Sequence, residues 1–319
     1  MRTDEMTRRE FIRAAAAGAT AFALAGTVLT EAAEKGVLNK AFPIPRRRLG
    51  KTGIEVPILG YGSHISEAVM KTPGMREAQI RHALENSINF FDIYKGPGPQ
   101  YEVMSKLLRP VSKDVLISLF MGGKTPMEDL EKALKVFRRD HVDMVRMHGA
   151  KKGPAYEAMV RAKEKGKARA IGVAARSEED LVAQFEKRKF DFAMIIYNFH
   201  EHLAGYPKLM PLVRKQGAGV ISMKPLGCGS LVKFAEKARK EKDFKDNPDV
   251  SLPHAALRFV FRNPEVSMTI PSMYSMKELK ENLQAGFSPK LAAKEETLLK
   301  NISAAAGPER CVYKSRFKF

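Results

Sequence analysis

The chain has 319 residues, 44% of them apolar, with 55 lysines and arginines against 36 acidic residues and a formal net charge of +19. That length permits one large domain or two ordinary ones, and the apolar fraction can supply a sizeable core, which excludes global disorder. The two cysteines, Cys228 and Cys311, exclude a disulfide scaffold and an all-cysteine zinc or iron–sulfur site; the positive excess leaves open a nucleic acid, an anionic surface or substrate, or solubility alone.

The first element is a leader. Thr7-Arg8-Arg9-Glu10-Phe11-Ile12-Arg13 places an arginine pair before an uncharged Ala- and Gly-rich run from Ala14 to Leu29, and Glu31-Ala32-Ala33 offers small residues for cleavage. The run is shorter than the roughly 20 apolar residues of a comfortable membrane span. Residues 1–33 resemble a twin-arginine export signal, a likeness carried by Arg8, Arg9 and Phe11. An amphipathic helix from Thr7 and an uncleaved anchor are the alternatives, and Ala23-Leu24-Ala25 is a second candidate cut. Export by that route carries folded proteins, often with a cofactor already bound. The expected partners therefore include the twin-arginine machinery, and the expected location is periplasmic or otherwise extracytoplasmic.

Residues 34–319 read as one domain with a strand–helix rhythm. Strands are predicted at 57–61, 88–92, 115–119, 142–148, 168–173, 192–197, 219–223 and 266–270, where the runs are almost continuously apolar, as suits strands buried on both faces. Helices are predicted between them, among others at 76–86, 126–139, 154–165, 177–187 and 276–285. Ser177-Glu178-Glu179-Asp180 has the cap-and-acid pattern of a helix start. Eight βα units argue for an α/β fold of the (β/α)8 TIM-barrel class, with a doubly wound open sheet as runner-up. Lys233 to Asp249, dense in charge, reads as an inserted, solvent-exposed helix and loop.

In such a barrel, function sits at the carboxyl ends of the strands. Those ends carry Ser63 and His64, Asp92 and Tyr94, Phe120, His148, Ala174-Ala175-Arg176, Tyr197-Asn198, Lys224 and Ser272. Asp92 is costly to bury without a partner, and His148 closes an otherwise apolar run. Several polar strand ends on one rim favour a small-molecule site. No metal-ligand set stands out.

These residues resemble the aldo-keto reductase family along essentially the whole chain after the leader. Arg47 to Val56 looks like the family's opening hairpin, Asn89-Phe90-Phe91-Asp92 like the strand ending in its aspartate, and Asp140-His141-Val142-Asp143 through His148 like the stretch ending in its histidine. Glu102 to Leu108 resembles the following helix, with Ser105 where glycine is usual. Lys165 to Val173, Lys224-Pro225-Leu226-Gly227 and Ile270-Pro271 through Glu281-Asn282-Leu283 are similar to the fifth-strand and cofactor-binding motifs. The resemblance implies hydride transfer between a nicotinamide, NADH or NADPH, and a carbonyl or alcohol. It also implies a tetrad of Asp, Tyr, Lys and His, in which the lysine helps a phenol of ordinary pKa about 10 to act as an acid.

On that resemblance Asp92 and His148 are the matching polar site residues. Tyr94 is the preferred proton donor, with Tyr101 as the alternative and rim packing as Tyr94's other reading. Ser63, Lys224, Pro225, Leu226, Gly227, Ser272, Glu281 and Asn282 are the expected cofactor contacts. The departures are specific. The lysine position is Phe120, which supplies no cation; Lys95 and Lys124 lie in Gly-rich loops, and Lys224 is on a strand too distant to replace it. Ala174-Ala175 stand where Ser-Asn is usual, Met194 where Gln is, and Met223 where a stacking tyrosine is common. Ser272 and Glu278 replace groups that often bind a ribose 2′-phosphate, which weakens the expectation of NADP; Lys277 and Lys280 lie nearby. With Cys311 alone at the C-terminal end, no iron–sulfur cluster is expected.

The leading expectation is an exported oxidoreductase with its nicotinamide loaded beforehand. The rival is a barrel without reductase chemistry that binds a ligand or serves as a scaffold, a reading that Phe120 favours. A nucleic-acid partner rests on charge alone and has no motif behind it. The leader's arginines and acids cancel, so the +19 belongs to the barrel. It reads as an outer-surface property that would suit peripheral contact with anionic envelope surfaces.

Overall fold

Each apolar run becomes a strand because both of its faces are covered, one by the barrel interior and one by helices. The computed structural model describes residues 44–63, 74–93, 99–149, 154–240 and 246–306. The readings placed on Arg8, Arg9, Phe11, His64, Tyr94, Lys95 and Cys311 fall outside these residues, and the side chain of Tyr101 is also outside the description.

The chain begins with an antiparallel hairpin, β1 (Arg46–Arg48) and β2 (Glu55–Pro57). The parallel strands follow: β3 (Tyr61–Gly62), β4 (Phe90–Ile93), β5 (Leu116–Phe120), β6 (Val142–His148), β7 (Ala168–Ala174), β8 (Phe192–Ile196), β9 (Gly219–Met223) and β10 (Met268–Thr269). Each pairs with the next in sequence order. The ring closes where Gly60 N donates to Thr269 O at 2.9 Å, Thr269 N to Ile58 O at 2.9 Å and Gly62 N to Pro271 O at 3.0 Å. The result is the expected (β/α)8 barrel.

The helices are α1 (Met75–Glu85), α2 (Pro99–Leu108), α3 (Pro126–Phe137), α4 (Ala155–Glu164), α5 (Glu178–Phe185), α6 (Leu209–Gln216), α7 (Ser230–Ala238), α8 (Leu252–Phe261), α9 (Met276–Phe287) and α10 (Ala293–Ala306). Their starts are locally specified. The Ser177, Ser251 and Ser275 hydroxyls each accept from the amide three residues on, capping α5, α8 and α9. The segment expected to be an exposed insertion is partly a core helix: α7 begins at Ser230 and buries Leu231, Ala235 and Ala238. Those three positions follow the helical period and give α7 an apolar stripe that its many charges obscure.

Two apolar cores result from the strand alternation. One lies between sheet and helices. The other fills the barrel and contains Phe90, Met144, Ala170, Phe192, Met194, Ile221 and Met268, with Leu49, Ile54 and Val56 of the hairpin below them. The hairpin is a plug. Gly50, at φ +52, lies so close to residues 217–219 that a Cβ would stand 2.4 Å from Gly217 O, and Lys51 N donates to that carbonyl at 2.9 Å. Arg47 seals the same end by donating to the carbonyls of Phe261, Asn263 and Val266. The carboxyl ends of the strands are thus the ends left for a site.

Candidate active site

Asp92 is the third residue of β4 and 4% exposed. Like Phe90 it faces the barrel interior, because strand side chains alternate. A carboxylate there needs a cation and hydrogen-bond donors, and both are present. Arg146 grips it with two contacts, Nε to Oδ1 at 3.1 Å and Nη2 to Oδ2 at 2.6 Å. The Ser118 hydroxyl donates to Oδ1 at 2.9 Å. The Arg146 side chain is only 3% exposed, and its guanidinium lies 5.3 Å from the centre of the Phe120 ring, within reach of a cation–π contact.

Phe120 supplies no cation, and the charge beside Asp92 is not the lysine that the resemblance implied. The cation comes from the next strand. Phe120 and Arg146 are register partners across β5 and β6, so the ring that displaced one positive charge supports another. Arg146 precedes His148 by two residues, which puts both on the same face of β6. His148 is half-buried at the strand's end, in register with Ala174 of β7. Ser63 is fully buried, and its amide donates to the Asp92 carbonyl at 3.0 Å. The structure therefore brings Ser63, Asp92, Arg146 and His148 to one mouth.

None of the buried tyrosines of the barrel wall serves this mouth. The Tyr61 hydroxyl donates to Gln79 Oε1 at 2.9 Å and accepts from Arg76 at 2.5 Å. The Tyr197 hydroxyl accepts from Asn263 at 3.0 Å, and that of Tyr206 donates to Ile196 O at 2.9 Å. Burial pushes the phenols of Tyr61 and Tyr197 above their ordinary value, with Arg76 and Asn263 opposing. Neither is activated as an acid. Asn198, a candidate from its strand end, is committed to its own turn: its side chain donates to Glu201 and to Lys224 O and accepts from the amides of His200 and Glu201.

Beyond β9 the backbone turns through left-handed conformations at Lys224 (φ 59), Gly227 (φ 57), Cys228 (φ 58) and Gly229 (φ 82). The amides of Gly227 and Gly229 are taken up within the turn, donating to Lys224 O and Leu226 O at 2.9 Å each, so the group here that suits an anion is the Lys224 amine. Lys224 stands at the edge of this loop. Burial draws its amine below the ordinary lysine value; Cys228 and Glu201 oppose the shift, while Arg176 adds to it. A partly desolvated amine flanked by a thiol, at the edge of the strand ends, suits a phosphate group. Pro225 is buried and Leu226 half-buried in the same turn. Tyr274, 43% exposed, lies near enough for Cys228 and Glu278 to add to the burial that raises its phenol, with Arg76 opposing.

At the far end of the mouth, Ser272 forms a bridge with Gly62. Glu278 is built into the start of α9: its amide donates to the Ser275 hydroxyl at 3.1 Å, and its carboxylate accepts from Tyr274 N at 2.6 Å. That carboxylate satisfies a helix N-terminus that would otherwise suit an anion. Glu281 accepts from the Ser251 hydroxyl at 2.7 Å, and Asn282 is buried. Between the two ends the wall is apolar, with Ala174 and Met194 facing the interior core and Ala175 fully buried. A separate cleft of about 270 Å³ lies on the outer wall, where Phe199, His202, Phe259 and Ser303 surround the Arg262–Glu296 ion pair.

The sequence and the fold have counterparts in known proteins. A model of the aldo/keto reductase family matches residues 66–304. L-galactose dehydrogenase of Arabidopsis thaliana is 22% identical over 303 residues, covering 83% of this chain and 95% of that protein. A probable voltage-gated potassium channel subunit beta of Oryza sativa subsp. japonica is 24% identical over 296 residues, covering 75% of this chain and 90% of that protein. Among solved structures, the holo form of an aldo-keto reductase from Bacillus halodurans superposes with a TM-score of 0.65 at 19% identity, covering 85% of this chain and 99% of that one.

Proposed function

The chain belongs to the aldo/keto reductase family, and on that premise we propose that it is an oxidoreductase transferring a hydride between a nicotinamide and a small carbonyl or alcohol. The observation that carries this reading is the coincidence, at the carboxyl ends of the strands, of a charge-compensated Asp92 with His148 and the partly buried Lys224 amine.

The residues fit the cofactor unevenly. Lys224 would hold the pyrophosphate, while Glu281 and Asn282 would lie toward the adenosine. By the family resemblance Glu278 stands at a position where many members carry a basic group for the ribose 2′-phosphate, which supports NADH over NADPH. Ala174, Ala175 and Met194 offer no side-chain donors to a carboxamide, so that group depends on backbone partners. When bound, the reduced nicotinamide supplies the hydride. His148 orients the substrate oxygen, and Tyr94, two residues past Asp92, is the proposed proton donor. The Asp92–Arg146 pair keeps the floor beneath them neutral and fixed.

We place this activity outside the cytoplasm. Arg8, Arg9 and Phe11 support export by the twin-arginine route with the cofactor loaded first, and the net charge of +19 supports peripheral contact with anionic envelope surfaces. The apolar wall at Ala174, Ala175 and Met194 favours the second reading, a barrel that binds a ligand without turning it over. Mass spectrometry of small molecules released from the exported protein, followed by titration with NADH and NADPH, tests both. A bound nicotinamide supports the oxidoreductase. A protein that carries none and binds none at millimolar concentration overturns it.

A further inference from the structure

We propose that Arg146 is a positioning residue of this site, holding Asp92 and Phe120 as one rigid, neutral floor beneath the reacting groups, so that Phe120 is part of the machinery and not a lesion in it. The inference rests on the hydride-transfer reading and adds to it a residue on the sixth strand.

Three observations carry it. The Arg146–Asp92 contact uses two nitrogens and both carboxylate oxygens, with side chains 3% and 5% exposed, so the pair is held by geometry as well as by charge. The Ser118 hydroxyl and the Phe120 ring, two residues apart on β5, complete the clamp from the strand between the two partners. Arg146 and His148 share a face of β6, so a movement of the guanidinium would be felt two residues on, where the strand ends at the mouth. The choice of arginine has a chemical consequence. A guanidinium keeps its charge throughout the working pH range, whereas an amine loses it in the alkaline range.

The test uses the full exported protein, its thermal unfolding midpoint, and consumption of NADH with 4-nitrobenzaldehyde as the probe carbonyl. Arg146→Met is expected to lower the midpoint by roughly 10 °C, because it leaves a buried carboxylate unpaired. It is also expected to lower kcat about 100-fold through misplacement of the site. Arg146→Lys should recover part of the rate and acquire an alkaline fall in kcat that the parent lacks. Phe120→Lys should lower the midpoint in the parent, by crowding two cations, yet raise it in the Arg146→Met background. An Arg146→Met variant with the parent's kcat, or an Arg146→Lys variant whose pH profile overlays the parent's, would overturn the inference. A parent that reduces no carbonyl overturns the hydride-transfer reading instead. In that case the unfolding midpoints decide the charge clamp by themselves: additive effects of the two substitutions refute it.

Discussion

Replacing Lys224 by methionine separates what the amine does for the fold from what it does for a ligand. The residue follows β9 at φ +59, and its carbonyl accepts from Gly227 N at 2.9 Å. An unbranched side chain of similar length preserves that turn. The amine sits partly out of water, and burial is the largest cause of its lowered pKa, so the fold disfavours its protonated form. Removing it should leave the ligand-free protein with an unfolding midpoint at or above the parent's. The effect on cofactor has the opposite sign. One charge-assisted contact to phosphate contributes about 1.5–3 kcal/mol, which is about 10- to 150-fold in Kd. The pH dependence follows. A bound phosphate favours the ammonium, so affinity is full below the lowered pKa and falls as pH rises through it, before the ordinary value of 10.5 is reached. Over the same window the ligand-free fold gains stability, because the unfolded chain still holds the proton that the folded one has released. Calorimetric titration with NADH, and thermal unfolding of the ligand-free protein, each from neutral pH upward, measure the two slopes. A Lys224→Met protein with the parent's affinity, or a parent whose affinity does not change over that range, refutes the assignment of Lys224 to the phosphates.

Other residues give sharper signs than sizes. Glu278→Arg should raise affinity for NADPH relative to NADH by about tenfold, at a cost of about 1 kcal/mol from the lost contact with Tyr274 N; an unchanged ratio in paired titrations counts against Glu278 as the selector. Gly172→Ala puts a Cβ 2.3 Å from the Phe192 ring and should destabilise by about 1–3 kcal/mol. Phe192→Leu should return part of that loss in denaturant unfolding, and a fully stable Gly172→Ala protein would show that the interior is looser than described. Asp143→Asn leaves Arg139 and Arg169 facing an amide. Because the Arg139 side chain is itself only 9% exposed, a loss of about 3 kcal/mol is expected, and a change no larger than that of an exposed substitution would refute the pairing.

The barrel was legible because its strands are short, buried on both faces and regularly spaced, although the strands read at 57–61 and 266–270 narrow to Tyr61–Gly62 and Met268–Thr269. Seven-residue β6 shows where that kind of reading stops. Val142-Asp143-Met144-Val145-Arg146-Met147-His148 announces a buried strand with two charges on opposite faces, but not the identity of their partners. Asp143 turns to the helix layer, where Arg139, Arg169 and the Ile117 amide meet it. Arg146 turns inward to a carboxylate two strands away. The usable signal was parity: Arg146 shares a face with His148, and a cation at such a position requires an anion. Sequence comparison by position looked for the cation at Phe120 and found a gap, because it follows one strand at a time while charge compensation crosses between strands. The helix α7 was misjudged for a related reason, since three small or apolar residues on one stripe suffice to dock a helix whose remaining residues are charged.

The plugged end of the barrel has a consequence for how the molecule is handled. The described chain begins at Ile44, beside the hairpin and on the side away from the mouth. From there to the tip of β6 is roughly 20 Å at the usual rise per strand residue. A grip on Ile44 would hold the blunt pole of the molecule, with the mouth facing the other way. Pulling there would load Arg47 and the hairpin latch before it reached the Asp92–Arg146 floor, so a handle at that pole would spare the site.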